Sequence, residues 1–151
     1  QRLNLSYSVT FAILGCLIMA VTLPKSLGAR EKDKLVFKEL GEIIAMREGS
    51  EKAVKVLAST HSVGWISFYA NLNFRGAVCP VSDELSQFVG HGYAGFVEML
   101  KKAKLNYFVL EERRWPSNAF DIKREINEKD FQEIGVRYHP STGEMRLYKI
   151  L

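Results

Sequence analysis

The stretch Ala53-Val54-Lys55-Val56-Leu57-Ala58-Ser59-Thr60-His61-Ser62-Val63-Gly64-Trp65-Ile66-Ser67-Phe68-Tyr69-Ala70-Asn71-Leu72 decides the fold. Its first six residues are apolar except for Lys55, as in a strand buried on both faces. Ser59-Thr60-His61-Ser62 supplies turn chemistry. Val63 to Leu72 then reads as a short helix carrying Trp65, Ile66, Phe68 and Tyr69, closed by Asn71-Leu72-Asn73. A buried strand running straight into a helix is the first half of a βαβ unit, which implies a sheet with helices on its faces.

Working outward, Gly28 to Glu48 predicts an amphipathic helix. Val36, Leu40, Ile43 and Ile44 recur at i, i+4, i+7 and i+8, and Gly49-Ser50 stops the pattern. Ala77-Val78-Cys79-Pro80-Val81 predicts a second, shorter strand, at an edge because Pro80 cannot donate a ladder bond. Ser82-Asp83-Glu84 reads as a helix N-terminus, with Ser82 as the cap and two acids at the positive end of the dipole. Gly90-His91-Gly92 interrupts. Tyr93, Phe96, Val97 and Leu100 then form a helical stripe that ends in Lys101, Lys102 and Lys104. Leu105 to Leu110 is the third strand. Arg113 to Glu128 is a polar excursion containing Trp115-Pro116, and Asp130 to Ile134 reads as a short helix. Val136 to His139 and Met145 to Ile150, joined by Pro140-Ser141-Thr142-Gly143, predict a terminal hairpin. The expected architecture is a three-layer α/β domain with a mostly parallel five-stranded sheet. Its first three strands stand in the order 2-1-3, and the hairpin extends the strand-3 edge.

The N-terminal stretch is of a different kind. No charge occurs between Leu3 and Leu23, close to the roughly 20 residues needed to cross a bilayer core. Val9 to Val21 is apolar on every side, where a surface helix would show one stripe. Pro24 stops it and Lys25 suits a headgroup anchor. Residues 1–24 are therefore expected to form a transmembrane helix, and residues 25–151 a soluble α/β domain. A signal peptide would have a shorter apolar core and a better cleavage site than Leu27-Gly28-Ala29. A lipoprotein reading of Ile13-Leu14-Gly15-Cys16 conflicts with the apolar run that continues to Val21, and a buried core helix is the remaining alternative. The chain opens on Gln1, which suggests the last membrane helix of a larger protein followed by its tail.

Composition narrows the function classes. Among 151 residues, 47% are hydrophobic and 25% charged, as in an ordinary globular domain. The net charge of +4 comes from 21 basic residues interspersed with 17 acidic ones. A nucleic-acid partner is not expected, since its binders concentrate Lys and Arg on one face. Cys16 and Cys79 form neither a disulfide framework nor a metal site. Phosphate-loop, dinucleotide, zinc-protease and nucleophile-elbow motifs are absent, so no cofactor, metal or catalytic residue is assigned.

Open α/β sheets bind ligands beyond the C-terminal ends of their strands. The candidate ligand-binding residues are therefore Thr60, His61 and Ser62 after strand 1, and Arg113, Arg114 and Trp115 after strand 3. Hydroxyls at a helix N-terminus can hold a phosphate or a sugar; the plainer reading is that Thr60 or Ser62 merely caps the helix. His61 could serve as a general base with Glu111 or Glu112 as partner, although three histidines in the chain is unremarkable. His91 and His139 read as turn residues. Trp65, Phe68, Tyr69 and Phe74 are suited to stacking on a sugar, to a lipid interface, or to core packing. Trp115, in a polar loop, is suited to a partner, to lipid headgroups or to the rest of a parent protein.

Three segments carry a family resemblance: KELGEIIAMREGSEKAVKVLAST (Lys38 to Thr60), GWISFYANLNFRGAVCPVSD (Gly64 to Asp83) and FVEMLKKAKLNYFVLEER (Phe96 to Arg113). With the terminal hairpin, their order resembles the C-terminal domain of integral membrane glycosyltransferases of the GT-C class, the dolichyl-phosphate-mannose protein mannosyltransferase and aminoarabinose transferase-like group. Asn71 stands where that pattern has Gly, and Leu105 stands in its Gly-Ala slot. The resemblance implies a non-catalytic extracytoplasmic tail of an enzyme that transfers a sugar from a polyprenyl-phosphate donor, with the catalytic carboxylate elsewhere in the parent. It implies a membrane location. Implied partners are membrane lipid, the rest of the parent, and a glycan or polyprenyl-phosphate sugar. The alternative is a membrane-tethered α/β interaction module without enzyme activity. One signal points the other way: Lys25, Arg30, Lys32 and Lys34 follow the apolar run while Arg2 alone precedes it, which favours a cytoplasmic tail.

Overall fold

The computed structural model describes Ile13, Leu14, Cys16, residues 30–76 and residues 83–151. Contacts separate residues 1–34 from a compact unit, Leu35–Leu151. Ile13, Leu14 and Cys16 are helical and exposed, and the rest of the expected membrane segment 1–24 lies outside the described residues. Among the described residues no helix is long and apolar enough to cross a membrane.

The elements run α1 (Arg30–Glu48), β1 (Val56–Ala58), α2 (Val63–Ala70), β2 (Asp83–Glu84), 3-10 turns at Leu85–Gln87 and Val89–His91, and α3 (Gly92–Lys102). They continue with β3 (Tyr107–Glu111), a 3-10 turn at Glu112–Arg114, α4 (Ile122–Glu125), β4 (Phe131–His139) and β5 (Gly143–Ile150). The strands stand in the order β2-β1-β3-β5-β4. β1 is parallel to β2 and β3, while β5 is antiparallel to both β3 and β4.

The sheet is therefore mixed, which corrects the expectation of a mostly parallel five-stranded sheet. Without the two-residue β2, it has four strands, one parallel pairing and two antiparallel ones. The cause lies after β3. A parallel return needs a full crossover helix, and the chain offers only the four-residue α4 there. The hairpin, joined by a tight turn, lays β5 directly against β3 in antiparallel pairing. Two further expectations are corrected. Asp83-Glu84 begins no helix but pairs with Leu57 and Ala58 as a short edge strand. Asp130 to Ile134 is not a helix, because β4 already begins at Phe131, with a bulge at Ile134 between Glu133 and Gly135. The expected strand at 77–81 lies outside the described residues.

Alternation along the strands divides the core into two layers. Val56, Ala58, Tyr107, Val109, Met145 and Leu147 face α1 and α2, meeting Phe37, Leu40, Ile44 and Ile66. Leu57, Phe108, Leu110 and Tyr148 face the other way, meeting Phe96, Val97 and Leu100 of α3 and Phe131. α1 crosses α2 at Gly41, where an added Cβ would lie 2.5 Å from Tyr69 Cβ and 2.7 Å from the Ile66 carbonyl oxygen. Only a glycine admits that approach.

β1 is shorter than its apolar sequence suggests, because side-chain amides replace part of its ladder. Asn71 Oδ1 accepts from the Val54 N–H at 2.7 Å, and Asn71 Nδ2 donates to the Val54 carbonyl and to the Ser67 carbonyl, both at 2.9 Å. Asn106 Oδ1 accepts from the Lys55 N–H at 2.9 Å. At the N-terminal end of β3, Tyr107 donates to Glu48 Oε1 at 2.6 Å, and Lys149 donates to the same oxygen at 2.9 Å. This ties the end of α1 to the sheet. Hydrogen bonds from Tyr107 and then Lys149 hold the Glu48 carboxyl below its ordinary pKa, and burial first, then Glu48, pushes the Tyr107 phenol up.

Candidate functional site

β1 and β3 are adjacent and parallel. The connections from β1 to β2 and from β2 to β3 take the chain to opposite sides of β1, so the sheet reverses direction here. This is the switch point at which an open α/β sheet places its ligand. Ser59, Thr60, His61 and Ser62 follow β1, and Glu111 ends β3.

Three donors converge on one carboxylate oxygen at this point. Glu111 Oε1 accepts from the Ser59 N–H at 3.3 Å, from the Ser59 hydroxyl at 2.7 Å, and from the Ser62 hydroxyl. Glu111 and Ser62 are both fully buried. Burying a carboxylate is costly unless it is hydrogen-bonded, and this donor set offsets the cost on one side. On the other side Glu111 Oε2 has no hydrogen-bond partner among the described residues, and Arg114 Nε lies 3.7 Å from it. Ser62 is the N-cap residue of α2, but its side chain makes no bond to the helix backbone. Its hydroxyl is spent on Glu111 instead. The Ser62–Glu111 pair has the residue types of a nucleophile and its base, yet a fully buried Ser62 cannot meet a substrate.

The remaining candidates disperse. Thr60 and His61 are exposed. The His61 ring stands edge-on to Phe37 with centroids 5.7 Å apart, and Glu111 takes its hydrogen bonds from Ser59 and Ser62 rather than from His61. Arg113 belongs to the hairpin: its N–H donates to the Thr142 carbonyl at 3.0 Å and its Nη1 to the Pro140 carbonyl at 2.9 Å. Trp115 packs inward. Its Nε1 donates to the Phe120 carbonyl at 2.8 Å, and its ring meets Phe120 at 5.2 Å and Phe96 at 5.8 Å. Glu112 pairs with Lys123 at 2.5 Å, and that bond, followed by the Glu144 N–H, lowers its pKa. The structure thus joins Ser62 and Arg114 around Glu111, and separates them from Thr60, His61, Arg113 and Trp115.

His139 is buried and stacked on Phe37 at 4.9 Å, and its Nδ1 accepts from the Ser141 N–H at 3.3 Å. Among the described residues no group of His, Cys, Asp and Glu could hold a metal ion.

A second feature borders the switch point. Thr60, His61, Gly64, Trp65 and Phe68 line an open, shallow trough of about 430 Å³. Trp65, Phe68 and Leu72 are 38%, 57% and 55% exposed, in series along the outer face of α2 and its end. No charged residue occurs from Val56 to Phe74. A helix that is apolar on all sides is normally covered on all sides, and α2 exposes Trp65, Phe68 and Leu72 on its outer face and end.

Comparisons with family models, characterised proteins and solved structures gave no match.

Proposed function

We propose that this chain is a non-catalytic, extracytoplasmic accessory domain of a membrane glycosyltransferase that uses a polyprenyl-phosphate sugar donor. The outer face of α2 is the surface it offers to the rest of that enzyme. The resemblance over Lys38 to Arg113 supplies the enzyme class. The observation that carries the interaction role is the exposed series Trp65, Phe68 and Leu72 on a helix without charge. Aromatic residues in such a setting are the type that anchors interfaces. The Glu111 cluster agrees with a domain that assembles rather than reacts, since its hydroxyl and carboxylate are turned inward.

Two measurements test the reading. The first is topology: a reporter active only outside the cytoplasm and one active only inside are fused, separately, after Leu151 of the membrane-inserted protein. The expected signal is from the outside reporter. Signal from the inside reporter refutes the proposal and favours the tethered interaction module. The second is sugar transfer from a polyprenyl-phosphate donor by membranes carrying the double variant Trp65→Ser, Phe68→Ser. Transfer is expected to fall at least about tenfold, the loss of one interface hot spot, while the amount and melting of the domain stay unchanged. Transfer at the parent rate refutes the assigned surface.

A further inference from the structure

We propose that the ends of β1 and β3 and the first turn of α2 form an oxyanion site that the chain fills with its own Glu111 carboxylate, and that this site takes a free small carboxylate once that side chain is cut back. The inference does not depend on the proposed function.

Four observations support it. Two hydroxyls and one backbone N–H, all from the segment between β1 and α2, are aimed at a single oxygen, Glu111 Oε1. That oxygen sits at the start of an eight-residue helix with no acid in its first turn, where the helix dipole favours negative charge. The location is the switch point of the sheet, where ligands of open α/β folds bind. Finally, Glu111 is fully buried, yet among the described residues its second oxygen has no hydrogen-bond partner, and Arg114 Nε stands 3.7 Å from it. A side chain held for its own needs would satisfy both oxygens. This one is gripped by one oxygen, as an anionic ligand bound end-on would be. The ligand class is a small, singly charged oxyanion, and an intact Glu111 excludes it.

Glu111→Ala provides the test, because the atoms it removes, Cγ, Cδ and both oxygens, amount to one acetate. Thermal unfolding of the full chain is followed with sodium acetate from about 1 to 100 mM, against sodium chloride of equal ionic strength. The Ala variant is expected to melt below the parent and to rise saturably with acetate but not with chloride. Glu111→Gln keeps an acceptor oxygen in place and fills the space, so it and the parent are expected to ignore acetate. Adding Ser62→Ala to Glu111→Ala removes one donor and is expected to weaken the acetate response at least about tenfold. The proposal is overturned if acetate and chloride act alike, if the Gln variant or the parent responds as the Ala variant does, or if Ser62→Ala leaves the response unchanged. An Ala variant that stays unfolded at the highest acetate concentration also overturns it.

Discussion

Replacing Asn71 isolates what a single buried amide contributes to this sheet. Asn71 is 7% exposed and its amide closes a pair of hydrogen bonds with Val54, which is 2% exposed, as a neighbouring strand would. A third bond goes to the Ser67 carbonyl, back into α2. Asn71→Ala removes all three and leaves the Val54 N–H and carbonyl facing an apolar side chain. A net hydrogen bond contributes about 0.5–1.5 kcal/mol, and a stranded buried group costs about 1–3 kcal/mol. The loss should therefore be about 2–4 kcal/mol, a large share of the roughly 5–15 kcal/mol typical of a domain. Asn71→Asp separates donors from acceptors. A carboxylate can still accept from the Val54 N–H but meets the Val54 and Ser67 carbonyls as a repelled anion. Its folded-state pKa must then lie above its unfolded value. The protonated form can donate once, so its stability is present below the unfolded pKa and is lost as pH rises through the folded one. Urea unfolding followed by circular dichroism at pH 4 and pH 7 is the assay, with the exposed Asn73→Ala as a control expected to move by less than about 0.5 kcal/mol. The Asp variant should fall below the Ala variant at pH 7 and recover on acidification. A loss under about 1 kcal/mol for Asn71→Ala, or an Asp variant indifferent to pH, refutes the argument.

Gly41→Ala gains about 1 kcal/mol of helix propensity but drives a methyl into Tyr69 and the Ile66 carbonyl. Overpacking costs typically about 1–3 kcal/mol and sometimes more, so the variant should be destabilised; one melting at or above the parent would show that the α1–α2 crossing yields. The tie from Glu48 to Tyr107 and Lys149 predicts an acid dependence. Because the Glu48 carboxyl is held below its ordinary value in the fold, its contribution is present above the unfolded pKa and is lost as pH falls through the folded one. Tyr107→Phe should cost about 1–2 kcal/mol at pH 7 and flatten the acid limb of the stability profile; an unchanged acid limb would remove Tyr107 from the account.

Apolar periodicity made the strand cores legible, because burial on both faces leaves an uncharged run such as Val56-Leu57-Ala58 or Tyr107-Phe108-Val109-Leu110. The antiparallel hairpin of β4 and β5 was legible from its turn, but the direction in which it meets β3 was not, since an apolar strand pairs equally well either way and only the connection decides. That connection is the polar excursion from Arg113 to Glu128. Its Trp115 and Ile122 turn inward onto Phe96 and Phe108, which a window dominated by charged residues conceals. The same limit governs the site. Position at the ends of β1 and β3 was readable from topology alone. Which side chains meet there was not, because Ser62 and Glu111 lie 49 residues apart in sequence and only the register of two parallel strands brings them together. Asn71 marks where the backbone of β1 gives way to side-chain pairing. In both cases a polar residue that looked like surface or turn chemistry is a buried hydrogen-bonding group. The exposed face of α2 is instead drawn from aromatics suited equally by type to stacking, to an interface or to core packing. Residue type alone therefore does not tell the two classes apart. What separates them is whether the main chain leaves a buried donor or acceptor for the side chain to meet: β1 and its turn do, and the outer face of α2 does not.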